Sequence, residues 1–257
     1  MLKLVSLSSG SCGNAVFIEN GRTKLLVDAG TTLNYLGTAL NDLGTRLDEI
    51  DAILLTHEHG DHIRSAAAVS RRFGIPIYGN EATLDALPAA FQSAHVRVFP
   101  TGRTFEVGDL AVEAVPHSHD CREPVGFVIC NADRKITIAT DLGIVTPEVR
   151  AALTGADAVM LEANHDFEML ARGRYPGYLK KRIAGERGHL SNTAAGEILA
   201  KTASGKEQKV LLAHLSDENN NRRAALETVR EVLSRKAIDS FKVRVAGRLA
   251  VSPTIIV

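Results

Sequence analysis

Nine histidines occur in this chain, and three of them fall between positions 57 and 62, in Thr56-His57-Glu58-His59-Gly60-Asp61-His62. Imidazoles and carboxylates packed this closely are the donors that a borderline-soft divalent cation takes. His95, by contrast, stands alone and reads as an ordinary surface or core histidine. Asp28, His57, Asp141 and His214 each come just after a short apolar run, at 24–27, 52–55, 135–139 and 210–213. Loops at strand ends, carried on a rigid sheet, are where catalytic groups tend to be placed. Four separate runs that each deliver a His or Asp predict one metal centre assembled from distant parts of the chain.

The elements that must position these residues can be read from periodicity and turn signals. Residues 2–7, 15–19 and 24–27 read as strands, the last two joined by an Asn20-Gly21 hairpin turn. Residues 33–43 read as a helix with Gly44 at its C′ position. A strand at 52–55 runs into the histidine cluster, and 62–73 has helical spacing that stops at Gly74. Further strands are expected at 75–78, 95–99, 105–107, 110–115, 125–130 and 135–139, the last two forming a hairpin around Asn131-Ala132-Asp133-Arg134. Short helices are expected at 81–87 and 147–153, and strands at 158–161, 210–213 and 243–245. The stretch 167–187 reads as helical and basic. Helices follow at 191–202, with Ser191 as N-cap, and at 220–233. Two groups of strands with helices between them fit one domain, 1–257, of two sheets with helices outside.

Composition narrows the class. Apolar residues make up 45% and charged residues 23%, as in an ordinary globular protein. Lys+Arg and Asp+Glu are both 30, which excludes a polybasic nucleic-acid binder but leaves room for a local basic patch. Three cysteines, Cys12, Cys121 and Cys130, give no disulfide framework. The first residues lack a signal-peptide pattern, and no run is long enough to span a membrane. A cytoplasmic location with no membrane partner is the expectation. The oligomeric state is left open.

His57-x-His59-x-Asp61-His62 resembles the signature of the metallo-β-lactamase superfamily. Asp28, in Leu25-Leu26-Val27-Asp28-Ala29-Gly30, looks like its first motif, His119 the third, Asp141 the fourth and His214 the fifth. The resemblance covers residues 1 to about 235. Ser8-Ser9-Gly10-Ser11-Cys12-Gly13-Asn14 is similar to the YycJ/WalJ branch. So are Ser118-His119-Asp120 with Pro124-Val125-Gly126, Leu161-Glu162-Ala163-Asn164-His165-Asp166, Arg187-Gly188-His189-Leu190-Ser191-Asn192, and His214-Leu215-Ser216 with Asn219-Asn220. That branch is related to ribonuclease Z and is associated with nuclease activity, including 5′-to-3′ exonuclease activity on DNA. The implied fold is α/β, an αββα four-layer sandwich. Periodicity alone does not supply that layering.

The resemblance also implies roles. His57, His59 and His119 would hold one metal, Asp61, His62 and His214 the second, and Asp141 would bridge them. A water shared by two such Lewis acids attacks as hydroxide near neutral pH. Zinc or manganese suits this donor set, and iron is compatible with it. Both His117 and His119 lie on one face of an extended segment, and the family pattern selects His119. His117 then lies behind the ligands or faces substrate. Asp28 would fix a ligating histidine by hydrogen bonding. Protonating the leaving oxygen needs a general acid, for which the resemblance offers His189, oriented by Glu162. Asp61 belongs to the catalytic group as well as to the ligands, and His165 lies in the Glu162 loop.

Substrate binding is read from charge. Arg172, Arg174, Lys180, Lys181 and Arg182 lie between Glu162 and His189, and a phosphate backbone could track along them. Tyr175 and Tyr178 could stack on bases. Arg222 and Arg223 open the last helix and could also meet phosphate. The function expected is a two-metal phosphodiesterase, a DNA exonuclease. The alternatives are a hydrolase of a lactone, thioester, β-lactam or cyclic phosphodiester, and an RNA-processing nuclease, since nothing in the chain reads a 2′-hydroxyl. At this length there is no room for an inserted β-CASP domain or for ribonuclease Z's long tRNA-binding arm.

Overall fold

The computed structural model describes all 257 residues, Met1–Val257. The first sheet contains β1 (Lys3–Ser8), β2 (Ala15–Glu19), β3 (Lys24–Val27), β4 (Ala52–Leu54), β5 (Ile77–Gly79) and β6 (Val96–Val98), hydrogen-bonded in that order. The second contains β7 (Thr104–Val107), β8 (Leu110–Pro116), β9 (Val125–Cys130), β10 (Lys135–Ala139), β11 (Ala158–Glu162), β12 (Gln208–Ala213) and β13 (Phe241–Val245), again in chain order. A final two-residue strand, β14 (Ile255–Ile256), returns to the first sheet beside β1. Hairpins make the antiparallel pairs at the start of each sheet, and crossovers make the parallel pairs β3–β4–β5–β6 and β10–β11–β12–β13.

Strand alternation sorts side chains into layers. In β1 and β2, Leu4, Val16 and Ile18 point between the sheets, where they meet Val112, Phe127, Ile138, Met160 and Leu211 of the second sheet. Their neighbours Val5 and Phe17 point outward, onto α1 (Leu33–Asp42), α2 (Gly60–Ile63) and α3 (Ala66–Phe73). The one-turn α4 (Glu81–Asp85) connects β5 to β6. The outer face of the second sheet, with Val159, Leu161, Val210 and Leu212, packs on α5 (Pro147–Leu153), α8 (Asn192–Thr202) and α9 (Arg222–Arg235). Two short helices, α6 (Phe167–Arg172) and α7 (Gly177–Ile183), lie between β11 and α8. The result is an αββα sandwich. Its three apolar clusters hold 25, 23 and 20 buried residues. At roughly 1.5–3 kcal/mol for each large apolar side chain fully buried, packing holds the sheets together without help from a metal.

Local signals set most boundaries. Gly44 and Gly74 adopt φ of 74° and 72° where α1 and α3 end, and Ser191 accepts the Ala194 amide as N-cap of α8. Two expectations need correction. The helix expected at 62–73 is broken at Arg64–Ser65, where the Ser65 amide leaves the helical ladder to donate to Ala29 and Ser65 Oγ bonds Thr31. The helical stretch expected over 167–187 is two short helices separated by Gly173–Pro176, and no helix continues past Ile183. Proline cannot supply an amide to a helix interior and disfavours helix in the residue before it.

Gly30 shows how tightly the first sheet is stitched to the histidine motif. A Cβ there would lie 1.6 Å from the Asp61 carbonyl oxygen, whereas one at Gly60 would meet open space. Gly30→Ala should therefore cost at least the roughly 1–3 kcal/mol typical of overpacking. Gly60→Ala should be neutral or slightly stabilising, because alanine suits a helix better. Thermal melts of the two variants check this, and equal midpoints would refute it.

Candidate metal centre

The site forms where strand ends from both sheets converge. Asp28 follows β3, Asp141 lies two residues beyond β10, and His214 follows β12. All three adopt a left-handed backbone, with φ of 63°, 59° and 54°. This region is uncommon for non-glycine residues and tends to be held at functional sites. Here it turns each chain sharply at the sheet edge, so that the side chain faces its neighbours. The His214 turn is held on both sides: its amide donates to Ser9 Oγ at 2.7 Å and its carbonyl accepts from Asn164 Nδ2 at 2.9 Å.

Four imidazoles are each tied by one ring nitrogen and present the other to a common centre. His62 Nδ1 donates to Asp28 Oδ2 at 2.7 Å. Thr56 gives its hydroxyl proton to the same oxygen at 2.8 Å, so that its Oγ1 accepts from His57 Nδ1 at 3.0 Å. His119 Nδ1 donates to the Gly188 carbonyl at 3.4 Å, and His214 Nδ1 donates to Glu162 Oε1 at 2.8 Å. Bonds of this kind fix both the tautomer and the plane of a ring. The remaining Nε2 atoms gather round Asp141: that of His214 lies 3.2 Å, that of His62 3.5 Å and that of His119 3.9 Å from its carboxylate. His57 Nε2 lies 3.0 Å from His59 Nδ1, two lone pairs in need of a shared cation or proton.

Ligand-type atoms of His57, His59 and His119 lie within 4.8 Å of one another, as do those of Asp61, His62 and His214, and those of His57, His62 and Asp141. His214 Nε2 and Asp141 Oδ2 are buried without a hydrogen-bond partner. Buried polar atoms are seldom left so. Orphaned nitrogen and oxygen donors facing one centre fit a divalent metal.

Charge burial shapes the site. Burial opposes ionisation of Asp141, but the surrounding histidines, His214 and His62 first, hold its carboxyl well below the usual range. Burial likewise works against charge on His62 and His214. The carboxylates of Asp28 and Asp141 outweigh it at His62, which is pushed up to about 9, and those of Asp141 and Glu162 push His214 to about 10. Buried Glu162 is drawn down to about 2 by His189 and His214.

Glu162 is shared. Its Oε1 accepts from both His214 and His189 at 2.8 Å, while Oε2 accepts the amides of Leu142 and Leu190. Ligand-type atoms of His189, Glu162, Asp141 and His214 also lie within 4.8 Å of one another, with His189 Nδ1 bound to Glu162. His165 is buried in the adjoining loop and pairs with Ser191, with Nδ1 unpartnered. His117 is buried with both ring nitrogens unpartnered, and burial pulls its pKa to about 4. It belongs to none of the clusters above.

The basic stretch is more committed than its sequence suggests. Arg172 pairs with Glu168 at 2.9 Å, Lys180 Nζ donates to the Ala171 carbonyl, and Arg182 Nε donates to Asp120 at 2.7 Å beside His119. Arg174 and Lys181 have no such partner. Tyr178 is exposed and Tyr175 half-buried. Several contributors carried no role in the sequence reading. Asn14 Nδ2 lies 3.0 Å from His62 Nε2 and 3.4 Å from Asp61, and Asn220 ties the Ala163 and Asn164 carbonyls to Asn192. Their motifs were visible, but only the folded chain shows which distant atoms they meet.

No helix of the structure is long and apolar enough to cross a membrane. Residues 23–215 match the family described as Beta-lactamase superfamily domain. Exodeoxyribonuclease YycJ of Bacillus anthracis is 35% identical over 233 residues, 90% of this chain and 88% of the relative. Exodeoxyribonuclease WalJ of Streptococcus pneumoniae is 35% identical over 228 residues, 87% of this chain and 85% of the relative. The metallo-beta-lactamase fold protein YhfI of Bacillus subtilis superposes with a TM-score of 0.75 at 18% identity, covering 98% of both chains, a likeness of fold. Motif order, strand topology and these matches agree, and the chain belongs to the beta-lactamase superfamily, in the branch of the YycJ and WalJ exodeoxyribonucleases.

Proposed function

We propose that this protein is a two-metal-dependent phosphodiesterase that degrades DNA as a 5′-to-3′ exonuclease in the cytoplasm. The observation that carries the reading is the set of inward-facing donors around Asp141. Relatives that bear the name exodeoxyribonuclease supply the preference for DNA over RNA. In this reading His57, His59 and His119 hold one cation, Asp61, His62 and His214 hold the other, and Asp141 serves both. Divalent cations bound there, zinc or manganese with iron also compatible, would supply Lewis acidity toward phosphoryl oxygens and a lower pKa for the attacking water.

The chain's own residues do the rest. Asp28 sets His62 directly and His57 through Thr56. Glu162 holds His214 in place and keeps the proton of His189 on Nδ1, so that protonated His189 offers its second proton, on Nε2, to the leaving oxygen. Burial disfavours that charge, but Glu162 outweighs it and raises the His189 pKa, which favours the protonated acid. Glu162 is thus a positioning residue for both histidines.

Elemental analysis of protein purified without chelator should find up to two divalent transition-metal ions per chain. Asp141→Ala should lose metal and hydrolysis while melting cooperatively. Full activity in metal-free wild type would overturn the reading. His189→Ala should retain its metal and slow the cutting of 5′-labelled duplex by roughly 10²–10⁴-fold. Loss of metal in that variant would make His189 a ligand instead.

The metal-free protein should also show a definite pH dependence. His62 and His214 have folded pKa values of about 9 and about 10, above their ordinary 6.5. Their protonation therefore stabilises the fold fully below about 6.5 and ceases to do so as pH rises through 9 and 10. Melting midpoints in chelator should fall across that interval. Metal must displace the same protons, so affinity measured against a competing chelator should rise there. A flat profile in both measurements would count against the cluster as described.

A further inference from the structure

A pocket of about 240 Å³ lies against His214, lined also by Ser9, Ser216, Asn220, Arg222 and Arg248. A second groove, of about 540 Å³, runs between α9 and the free edge of β13 and shares Arg222 with the first. Arg222, Arg223, Arg230 and Arg244 line this second groove, and all four are exposed. Its one carboxylate, Glu227, is already engaged by Arg223 at 2.8 Å, and Asp217 at the inner pocket is engaged by Arg248. Arg222 Nη2 donates to the Val245 carbonyl at 3.0 Å, which anchors the guanidinium where the two cavities meet. The side chains of Arg230 and Arg244 make no ion pair or hydrogen bond. Two unpaired guanidinium groups in one groove, in a chain with zero formal net charge, leave a local positive field that an anion would satisfy.

We propose that the phosphodiester backbone of the substrate passes His214 and lies along the α9–β13 groove, with Arg230 and Arg244 each against a phosphate. This deepens the nuclease reading and rests on it. At Arg222 the groove meets the pocket that touches His214, one of the proposed ligands. The 172–187 stretch likewise leaves two cations without a partner, Arg174 and Lys181, while Arg172, Lys180 and Arg182 are bound within the protein, so the two pairs are the ones to compare. Contacts to phosphate neutralise charge and release counterions without reading sequence.

The test compares Arg230→Ala/Arg244→Ala with Arg174→Ala/Lys181→Ala. Binding of a fluorescent 5′-phosphorylated DNA duplex is followed by anisotropy over a salt series, in chelator so that the DNA stays whole. Loss of two phosphate contacts should flatten the slope of log affinity against log salt by about two and weaken binding alike for unrelated sequences. The 174/181 pair should change it less. Turnover of bis-p-nitrophenyl phosphate, too small to reach the groove, reports that the metal-loaded centre of each variant is intact. Wild-type affinity and slope in the 230/244 variant would overturn the groove, and a larger effect from the 174/181 pair would move the track to the segment that spans the α6–α7 junction and α7. A wild-type protein that neither binds nor cuts DNA or RNA would instead remove the nuclease reading itself.

Discussion

A carboxylate buried among imidazoles must have positive charge beside it. Asp141 is only 3% exposed, and three or more histidines point at it. Moving an ion of this size out of water costs several kcal/mol even after relaxation. The rest of the structure can be seen as the means of meeting that demand. Strands from two sheets end at one edge, and three left-handed residues turn their side chains inward. Outer carboxylates and carbonyls then hold the rings. Protons can meet the demand, as the raised pKa values of His62 and His214 show. Divalent cations meet it better, because they engage several lone pairs at once.

Rigidity of the frame makes this arrangement durable. The strands that carry Asp28, His57, Asp141, Glu162 and His214 are interior to their sheets, buried on both faces by apolar residues. The loops between them are laced by side-chain amides: Asn14 to the His62 turn, Asn164 to His214, Asn220 to two backbone carbonyls. Amides suit this task because one end donates while the other accepts, and neither end adds charge to a crowded site.

Much of this was legible in the chain. The 57–62 cluster, the strand-end aspartates and the glycine caps are local signals, and local signals survive without a fold. The double role of Glu162 was not legible, because it depends on β10, β11 and β12 lying side by side in register. Nor was the break at Ser65, where a long-range bond to Ala29 outcompetes helical spacing. The internal pairing of Arg182 with Asp120 joins residues 62 positions apart, so charge counting over 172–187 overstated the free cations. Pairing of β14 with β1 likewise waits on the whole sheet.

The shared oxygen of Glu162 has a consequence for how such a protein can change over generations. Two imidazoles with different tasks lean on one carboxylate, so the three side chains behave as a single inherited character. A lineage that lost the proton donor would still need the acid for the neighbouring ring, and would keep it. A lineage that lost the acid would loosen both rings in one step. Substitutions at these positions are therefore expected to be strongly epistatic, as for residues that act as a unit. Loss of His189 would cost the proton donor alone, whereas Glu162 can go only with the whole centre.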